Sequence, residues 1–330
     1  MRRTLVVIVC LMLAITFILS GCSSKKSDYK KFFYIMGETV EIQIDPDCPN
    51  GELILDSCQS VLDELEKELS DERIGNDIYN INEFSRVTVL SLHAQNIINT
   101  ALDISELCPG FDITTAPLVD IWDQAQANRY VPNRDEVNEV LKSVGHDKIS
   151  ISGRVVEKIP GVTINLEGII NGYVADTLVD HLKTSGVKYG IVYVGDCAAV
   201  FGEMPTDSAF KVAIKNDAEI VGYVYMSEGA LCSVQITDDE LDIDGKKYCR
   251  WISPFDGYPA GFHIPCRQQS ITVINPSAAV ANALAVDLIV RNIPIKDAHM
   301  MSEIEFDYIS ISDGVVYVSD GIAHAFEPLD

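Results

Sequence analysis

The stretch Asn165-Leu166-Glu167-Gly168-Ile169-Ile170-Asn171-Gly172-Tyr173-Val174-Ala175-Asp176 decides how the rest of this chain is arranged. Before it, residues 161–165 alternate apolar and polar side chains, which predicts a strand. After it, Ile169, Ile170, Tyr173, Val174, Leu178 and Leu182 recur at helical spacing, and Gly186 supplies a stop. Gly168 lies between the two. Without a Cβ its backbone can approach a ligand closely, and the amides that open a helix point at whatever binds there. Such a turn suits an anionic group, although most turns of this kind are plain connections.

Other elements follow from periodicity. Glu38–Ile44 alternates with Val40, Ile42 and Ile44 on one face and reads as the first strand. Gly51–Leu69 carries the helical stripe Ile54, Cys58, Val61, Leu62, Leu65 and Leu69. Residues 87–90 predict a short strand, and a helix follows through Ile97, Ala101, Leu102 and Ile104 until Pro109-Gly110 breaks it. A helix is predicted over 135–144, capped by Gly145. Strands are predicted over Gly190–Val194, 210–214, 221–226 and 270–274, and a strongly apolar helix over 278–292. Asp244-Gly245 and Asp313-Gly314 center hairpins over 241–251 and 306–319. No repeat or low-complexity linker interrupts the chain. Strands and helices mix without regular βαβ alternation, so the fold class is α+β rather than doubly wound α/β.

The amino terminus reads as an address. Arg2 and Arg3 precede an apolar run over 5–19, and Leu19-Ser20-Gly21-Cys22 follows. Fifteen apolar residues are fewer than the roughly 20 a spanning helix needs and fit a signal-peptide core. The tetrapeptide resembles a bacterial lipobox. That resemblance implies cleavage before Cys22 and lipid on its sulfur and amine; the other reading is an uncleaved anchor. Residues 22–31 then form a lysine-bearing tether and residues 32–330 a single domain. The expected location is the outer face of a cytoplasmic membrane, or the periplasmic side of a membrane. Net charge is −24, and removal of residues 1–21 takes away two arginines and no acid, leaving −26. So acidic a body disfavors nucleic acid, and any anionic ligand must be held by local devices. Of nine cysteines, Cys10 lies in the leader and Cys22 at the lipid site. The seven others leave at least one unpaired thiol, have no CxxC spacing, and at Cys58 and Cys197 sit in apolar patterns typical of small core residues.

Four separated stretches share an order and spacing: Phe33-Tyr34-Ile35-Met36-Gly37-Glu38-Thr39; Gly110-Phe111-Asp112-Ile113-Thr114-Thr115-Ala116-Pro117-Leu118-Val119-Asp120-Ile121-Trp122; the 165–176 turn running into Val192-Tyr193-Val194-Gly195-Asp196; and Arg250-Trp251-Ile252-Ser253-Pro254 leading to Asn282-Ala283-Leu284-Ala285-Val286. Over residues 32–325 they resemble the FAD:protein FMN transferases of the ApbE family. The resemblance implies a single α+β, T-fold-like domain with mixed sheets and packed helices. It implies FAD as substrate, Mg²⁺ on the pyrophosphate, and FMN transfer to a Ser or Thr of an exported redox protein with release of AMP. Carried over by motif, Met36, Gly110, Phe111, Asp112, Asn165 and Asn171 are the candidate flavin-binding residues. For Phe111 and Trp122 core packing is the competing reading.

Departures from the family pattern concentrate where the metal and catalytic groups belong. The family turn D-L-G-G-I-A-K-G has Asn165, Glu167 and Asn171 here in place of Asp, a small residue and Lys. H-I-I-D-P becomes Arg250-Trp251-Ile252-Ser253-Pro254. D-A-L-A-T, whose Asp and Thr bind metal one helical turn apart, becomes Asn282-Ala283-Leu284-Ala285-Val286. Candidate metal donors are then the Gly168 carbonyl, Asn282 and, if the site shifts, Asp287; weak Mg²⁺ binding is expected because magnesium favors hard, charged oxygens. Asp196 and Arg250 are the candidate catalytic groups, with Arg250 either a fixed cation against phosphate or an ordinary surface arginine. The six histidines lack metal-ligand spacing, and a structural or solvated role is expected for His263. The readings to separate are transferase, impaired flavin-binding or partner-binding lipoprotein, FAD pyrophosphatase, and an unrelated solute-binding lipoprotein.

Mass spectrometry of the membrane fraction is expected to show a mature chain that begins at a lipid-modified Cys22. An intact Met1 or an unmodified Cys22 would contradict that expectation.

Overall fold

The computed structural model describes residues 29–329 except 71, 72, 85, 206, 207, 238 and 239. The leader and Cys22 lie outside the described residues. Strand β1 (Tyr29–Ile35) comes before the strand read as first, β2 (Glu38–Ile44), so the last residues of the stretch read as tether belong to the sheet. Helices α1 (Gly51–Leu69), α2 (Asp77–Glu83) and α3 (Leu92–Leu107) enclose β3 (Arg86–Thr88). A 3₁₀ turn at Ile113–Thr115 leads to α4 (Ala116–Asn128) and α5 (Arg134–Leu141), then to β4 (Ile149–Ser152) and β5 (Val155–Lys158). Helix α6 (Ile170–Thr184) is followed by β6 (Gly190–Val194), β7 (Cys197–Phe201), β8 (Phe210–Asn216), β9 (Glu219–Met226) and β10 (Gly229–Gln235). The hairpin β11 (Leu241–Ile243) and β12 (Lys246–Tyr248) precedes β13 (Ser270–Asn275). The chain closes with α7 (Ala278–Arg291), α8 (Ile295–Met301), β14 (Asp307–Ser312), β15 (Val315–Val318) and β16 (Phe326–Pro328).

Eight strands form the main sheet in the order β1-β2-β6-β7-β10-β13-β14-β15. Smaller sheets have the orders β16-β9-β8, β3-β5-β4 and β11-β12. The α+β class holds. The sheets, expected to be mixed, pair antiparallel throughout among the described residues, because hairpins and long returns connect them rather than βαβ crossovers. Period-two alternation gives the main sheet two apolar faces. Cys197, Ala199 and Phe201 of β7 face the helices, with Leu55, Leu62, Leu178 and Leu284, whereas Ala198 and Val200 meet Val212, Ile214 and Val224 of the three-stranded sheet.

Helix α7 is buried on every side from Ala281 to Val290, which explains its unbroken apolar sequence. Its entry is fixed by α6. The Asp176 carboxylate accepts from the amides of Ala278 at 2.8 Å and Ala279 at 3.0 Å and from the Ser277 hydroxyl at 2.7 Å. It thus satisfies amides that a helix start leaves unpaired, and its charge complements the helix dipole. The Ser277 hydroxyl also accepts from Val280 N. At the same crossing Gly172 meets the Ala278 backbone so closely that a Cβ would lie 2.2 Å from its carbonyl oxygen. Burial raises the carboxyl pKa of Asp176, while its bonds from Ala279, Ala278 and Ser277 pull it back down.

One predicted strand is absent. Residues 161–165 keep the alternation in burial, with Val162 and Ile164 inside, but join no sheet. The Asn82 side chain acts as the neighboring strand: its Oδ1 accepts from Ile164 N and its Nδ2 donates to Ile164 O. Asn165 N then donates to Ile113 O at 2.9 Å.

Gly172→Ala is expected to cost about 1–3 kcal/mol or more, because the clash is with backbone that cannot rotate away. Urea unfolding measures it. A loss below about 0.5 kcal/mol, the range of ordinary surface substitutions, would mean that the two helices do not meet this closely.

Candidate functional site

The Asn165–Ile113 bond joins two of the four motif stretches, so Gly110–Asp112 and the Gly168 turn come to one place although 53 positions separate Asp112 from Asn165. Gly110, Phe111, Asp112, Asn165, Glu167, Arg250, Trp251 and Val286 border a narrow cleft of about 30 Å³. Glu167, Arg250 and Trp251 also border a cavity of about 530 Å³, which adds Met36, Glu38, Gly168, Asn171, Asp196, Ser233 and Asn282. All the sequence-derived site residues except Cys22, which is not described, and Asp287 therefore line this pair of spaces. A larger cavity, about 740 Å³ near His299, shares only Asp176 with the motifs.

Met36 reaches the cavity from the β1–β2 turn. Ile35 pairs with Glu38, so Met36-Gly37 is a two-residue hairpin, and both have positive φ (45° and 84°). The other two such turns, Asp244-Gly245 and Asp313-Gly314, follow the usual chemistry. A methionine in this left-handed position costs about 1–2 kcal/mol. The fold tolerates it where the side chain borders the cavity.

The Gly168 turn is built for close packing. Its φ is +81°, and a Cβ would meet a Val286 methyl at 2.9 Å, Trp251 at 3.4 Å and Phe111 at 3.5 Å. The helix start behind it is less bare than the sequence suggests. Ile169 and Ile170 amides donate to Leu166 O, and Gly172 N donates to Asn282 Oδ1 at 3.4 Å. Asn171 lies beside Glu38 at the Gly195 turn, where a Cβ would meet Asn171 Nδ2 at 2.8 Å and Glu38 Oε2 at 2.9 Å.

The charged candidates differ in how free they are. Asp112 is buried and its carboxylate is engaged: Oδ1 accepts from Thr114 N at 2.8 Å and Thr114 Oγ1 at 2.6 Å, and Oδ2 accepts from His146 N at 2.8 Å. It shapes the cleft wall. Arg250 spans the site, 3.6 Å from Asp123 Oδ1 and 3.7 Å from Glu167 Oε1, separations that leave its guanidinium able to turn to a ligand. Asp196 reaches solvent at the cavity mouth. Partial desolvation raises its carboxyl pKa, and Lys215 pulls it back down.

Asp287, read from sequence as a metal candidate, is elsewhere. Its Oδ1 accepts from Gly110 N at 2.7 Å and its Oδ2 from Arg291 Nη1 at 3.3 Å, and it borders neither space. Helical geometry turns it about 100° away from Val286. It fastens the end of α3 to α7. Burial raises its carboxyl pKa, opposed by Gly110 and Arg291. Cys197, read as a small core residue, is buried in the core and is in addition disulfide-bonded to Cys232, its partner across the β7–β10 ladder. The Cys58 reading stands: it is fully buried, and burial pushes its thiol up to about 11. Trp122 is core, with its indole N–H donating to Gly257 O at 2.8 Å. His263 is exposed against Tyr258 and Asp256, outside the cavity.

Sequence reasoning quoted Trp251 without assigning it to the site. The structure puts this side chain between the cleft and the cavity, with a buried indole N–H that has no partner among the described residues. Its sole signal in the sequence is its position next to Arg250. Glu38 and Ser233 also border the cavity, and strand alternation alone did not mark either of them.

Asp287→Ala is expected to destabilize the protein by about 3–5 kcal/mol, because it strands a buried amide and a guanidinium. Divalent-cation affinity, read by calorimetry on the folded fraction, should not move. A cation affinity that falls with stability intact would return Asp287 to the ligand set.

Comparison with known proteins agrees with this geometry. The ApbE family profile matches residues 36–304. A protein of Buchnera aphidicola named FAD:protein FMN transferase is 24% identical over 276 residues, covering 78% of this chain and 79% of that one. The Escherichia coli K12 protein of the same name is 23% identical over 207 residues, 59% of this chain and 58% of its own length. Among solved structures, the Thermotoga maritima ApbE protein superposes with a TM-score of 0.81 at 21% identity, over 91% of this chain and 99% of that one. The apo flavinyl transferase ApbE of Pseudomonas stutzeri gives 0.76 at 20% identity, over 91% and 97%. With the motif stretches gathered at the adjoining cleft and cavity and the match extending over most of its length, this chain belongs to the ApbE family.

Proposed function

We propose that this protein transfers FMN from FAD to a Ser or Thr hydroxyl of an exported redox protein and releases AMP. The observation that carries the reading is the convergence of Met36, the Gly168 turn, Asn171 and the Arg250-Trp251 pair on one cavity of about 530 Å³. Family membership supplies the reaction class. The acceptor oxygen bonds to the FMN phosphorus, the bond from that phosphorus to the bridging oxygen breaks, and AMP carries that oxygen away. The hydroxyl proton passes to Asp196, whose raised pKa brings it nearer the working pH that favors a general base. Arg250 meets the pyrophosphate charge, and the orphan indole N–H of Trp251 offers a donor to a nucleotide oxygen. One cation faces the carboxylates of Glu38, Glu167 and Asp196 in this cavity, so the local field by itself does not favor an anion.

The donors present do not fit a resident Mg²⁺. The Asn282 amide oxygen faces Gly172 N, Val286 presents a methyl beside Gly168, and Asp287 is committed to Gly110. At the motif position only the neutral Gly168 carbonyl remains, too sparse for an octahedral ion, and among the described residues no three His, Cys, Asp or Glu side chains are grouped to hold a metal. Mg²⁺ affinity is therefore weak, and Arg250 rather than a metal meets the pyrophosphate charge. Losing one preorganized charge stabilizer costs roughly 10²–10³ in rate. The same observation favors a second reading, a catalytically impaired flavin-nucleotide binder; a water in place of the hydroxyl would make the protein a FAD pyrophosphatase. The lipobox supports export and lipid anchoring through Cys22.

Incubation of the purified protein with FAD, Mg²⁺ and a candidate acceptor separates these outcomes. FMN on the acceptor supports transfer, free FMN plus AMP supports hydrolysis, and bound but intact FAD supports the binder. Converting Asn282→Asp together with Val286→Thr places a carboxylate and a hydroxyl one turn apart beside the Gly168 carbonyl. Calorimetry with FAD present should then show a gain in Mg²⁺ affinity, with at most partial recovery of transfer. A wild-type protein that already binds Mg²⁺ tightly and transfers FMN quickly would contradict the account of the ligand shell.

A further inference from the structure

Strand β1 is an end strand of the main sheet, paired only with β2 among the described residues. Its alternation is sharp. Phe33 and Ile35 are buried on the helix side, whereas Lys30, Phe32 and Tyr34 face the other way and are exposed. Further along that second face the three-stranded sheet covers Ile191, Ala198 and Val200, but it leaves Phe32 56% and Tyr34 73% exposed. Tyr34 is the most exposed aromatic side chain among the described residues. Two bare rings side by side on the free edge of a sheet invite association, so a surface that keeps them has something to cover them. Charge does not choose the occupant. Lys30 lies 2.6 Å from Glu41, and Lys31 is paired with Asp56, so both lysines of the strand are matched by carboxylates. The place where the strand begins does choose it. Only residues 23–28 separate Cys22 from Tyr29. That length of chain spans at most about 25 Å even when fully extended. Lipid on Cys22 therefore keeps β1 close to the bilayer.

We propose that the outer face of β1, through Phe32 and Tyr34, seats in the headgroup layer of the bilayer that holds this chain. The inference rests on the lipid-anchor reading and is independent of the transferase reading. Aromatic rings suit that boundary, because the ring enters the apolar side while the Tyr34 hydroxyl stays with water and headgroups. Lys30 fits beside them: its ammonium lies 5.0 Å from the center of the Phe32 ring, and its stem can follow apolar surface with the charge kept outside. The consequence reaches the site. The turn that follows Tyr34 and Ile35 carries Met36 and Glu38 to the flavin cavity. A seated β1 holds that turn beside the bilayer, where a domain free on its tether would present it in every direction.

The test is hydroxyl-radical footprinting of the full chain, taken from the membrane fraction, in vesicles of phosphatidylethanolamine and phosphatidylglycerol. Mass spectrometry reads both side-chain oxidation and the state of Cys22. Phe84 and Phe255 are internal standards, because at 56% and 55% they are as exposed as Phe32 in the chain itself. Phe32 should oxidize at least fivefold more slowly than either. Tyr34→Phe should keep that protection, and Tyr34→Asp, which puts a charge where a ring would enter the bilayer, should bring Phe32 within twofold of the standards. Phe32 oxidized as fast as the standards on a lipid-bearing chain, or protected equally in Tyr34→Asp, would overturn the docking face and leave the anchor standing. Protection of Phe32 on a vesicle-bound chain without lipid would keep the face and remove the anchor reading. A chain without lipid that stays off the vesicles would remove both. Protection that rises with the density of the chain in the vesicles would overturn the proposal by making a second copy the occupant.

Discussion

The docking of α6 on α7 is the contact on which the site depends. Gly168 and Asn171 are held at the start of one helix, and Asn282 and Val286 project from the other. Their relative position is set where Gly172 touches the Ala278 backbone and Asp176 caps the α7 start. Twelve buried residues along α7 then seat that helix against the main sheet. Asp287 extends the same line of contacts to Gly110, and Asn165 closes it through Ile113. The cavity is therefore a consequence of helix packing more than of any one loop.

Legibility from sequence followed the physical origin of each element. Glu38–Ile44, Gly51–Leu69 and Gly190–Val194 have the predicted bounds, the first two because each buries one continuous stripe and the third because a short apolar run is buried on both faces. Both Asp-Gly hairpins were readable from turn chemistry. Strand β1 was not, because the hairpin that pairs it uses Met36 where a turn residue is expected. The short helix α2 escaped because a helix of seven residues carries too little periodicity, although Asn76 caps it. Residues 161–165 show the converse error. Their alternation is real, yet a side-chain amide takes the place of the partner strand.

In the site, motif positions identified the residues that line the cavity but not how each is used. Asp112 was read as a flavin-binding residue and Asp287 as a possible metal donor, and both carboxylates are committed to protein donors. Such commitments come from long-range partners such as His146 and Gly110, which local sequence does not specify. Trp251 gave little signal, since nothing in a sequence shows that an indole N–H will be buried without a partner. The substitutions at Asn282 and Val286 were visible, and their consequence became concrete once the Val286 methyl was found against Gly168. Removing the metal's donors leaves Arg250 as the cation that borders both spaces.

A crystal structure of the protein with FAD bound tests the central claim most directly. The account predicts the dinucleotide in the cavity between Met36 and Trp251, with a pyrophosphate oxygen within hydrogen-bond reach of Arg250 and no divalent ion at the Gly168 carbonyl. FAD seated instead in the larger cavity beside His299, or a divalent ion coordinated by Asn282 and Gly168, would contradict it.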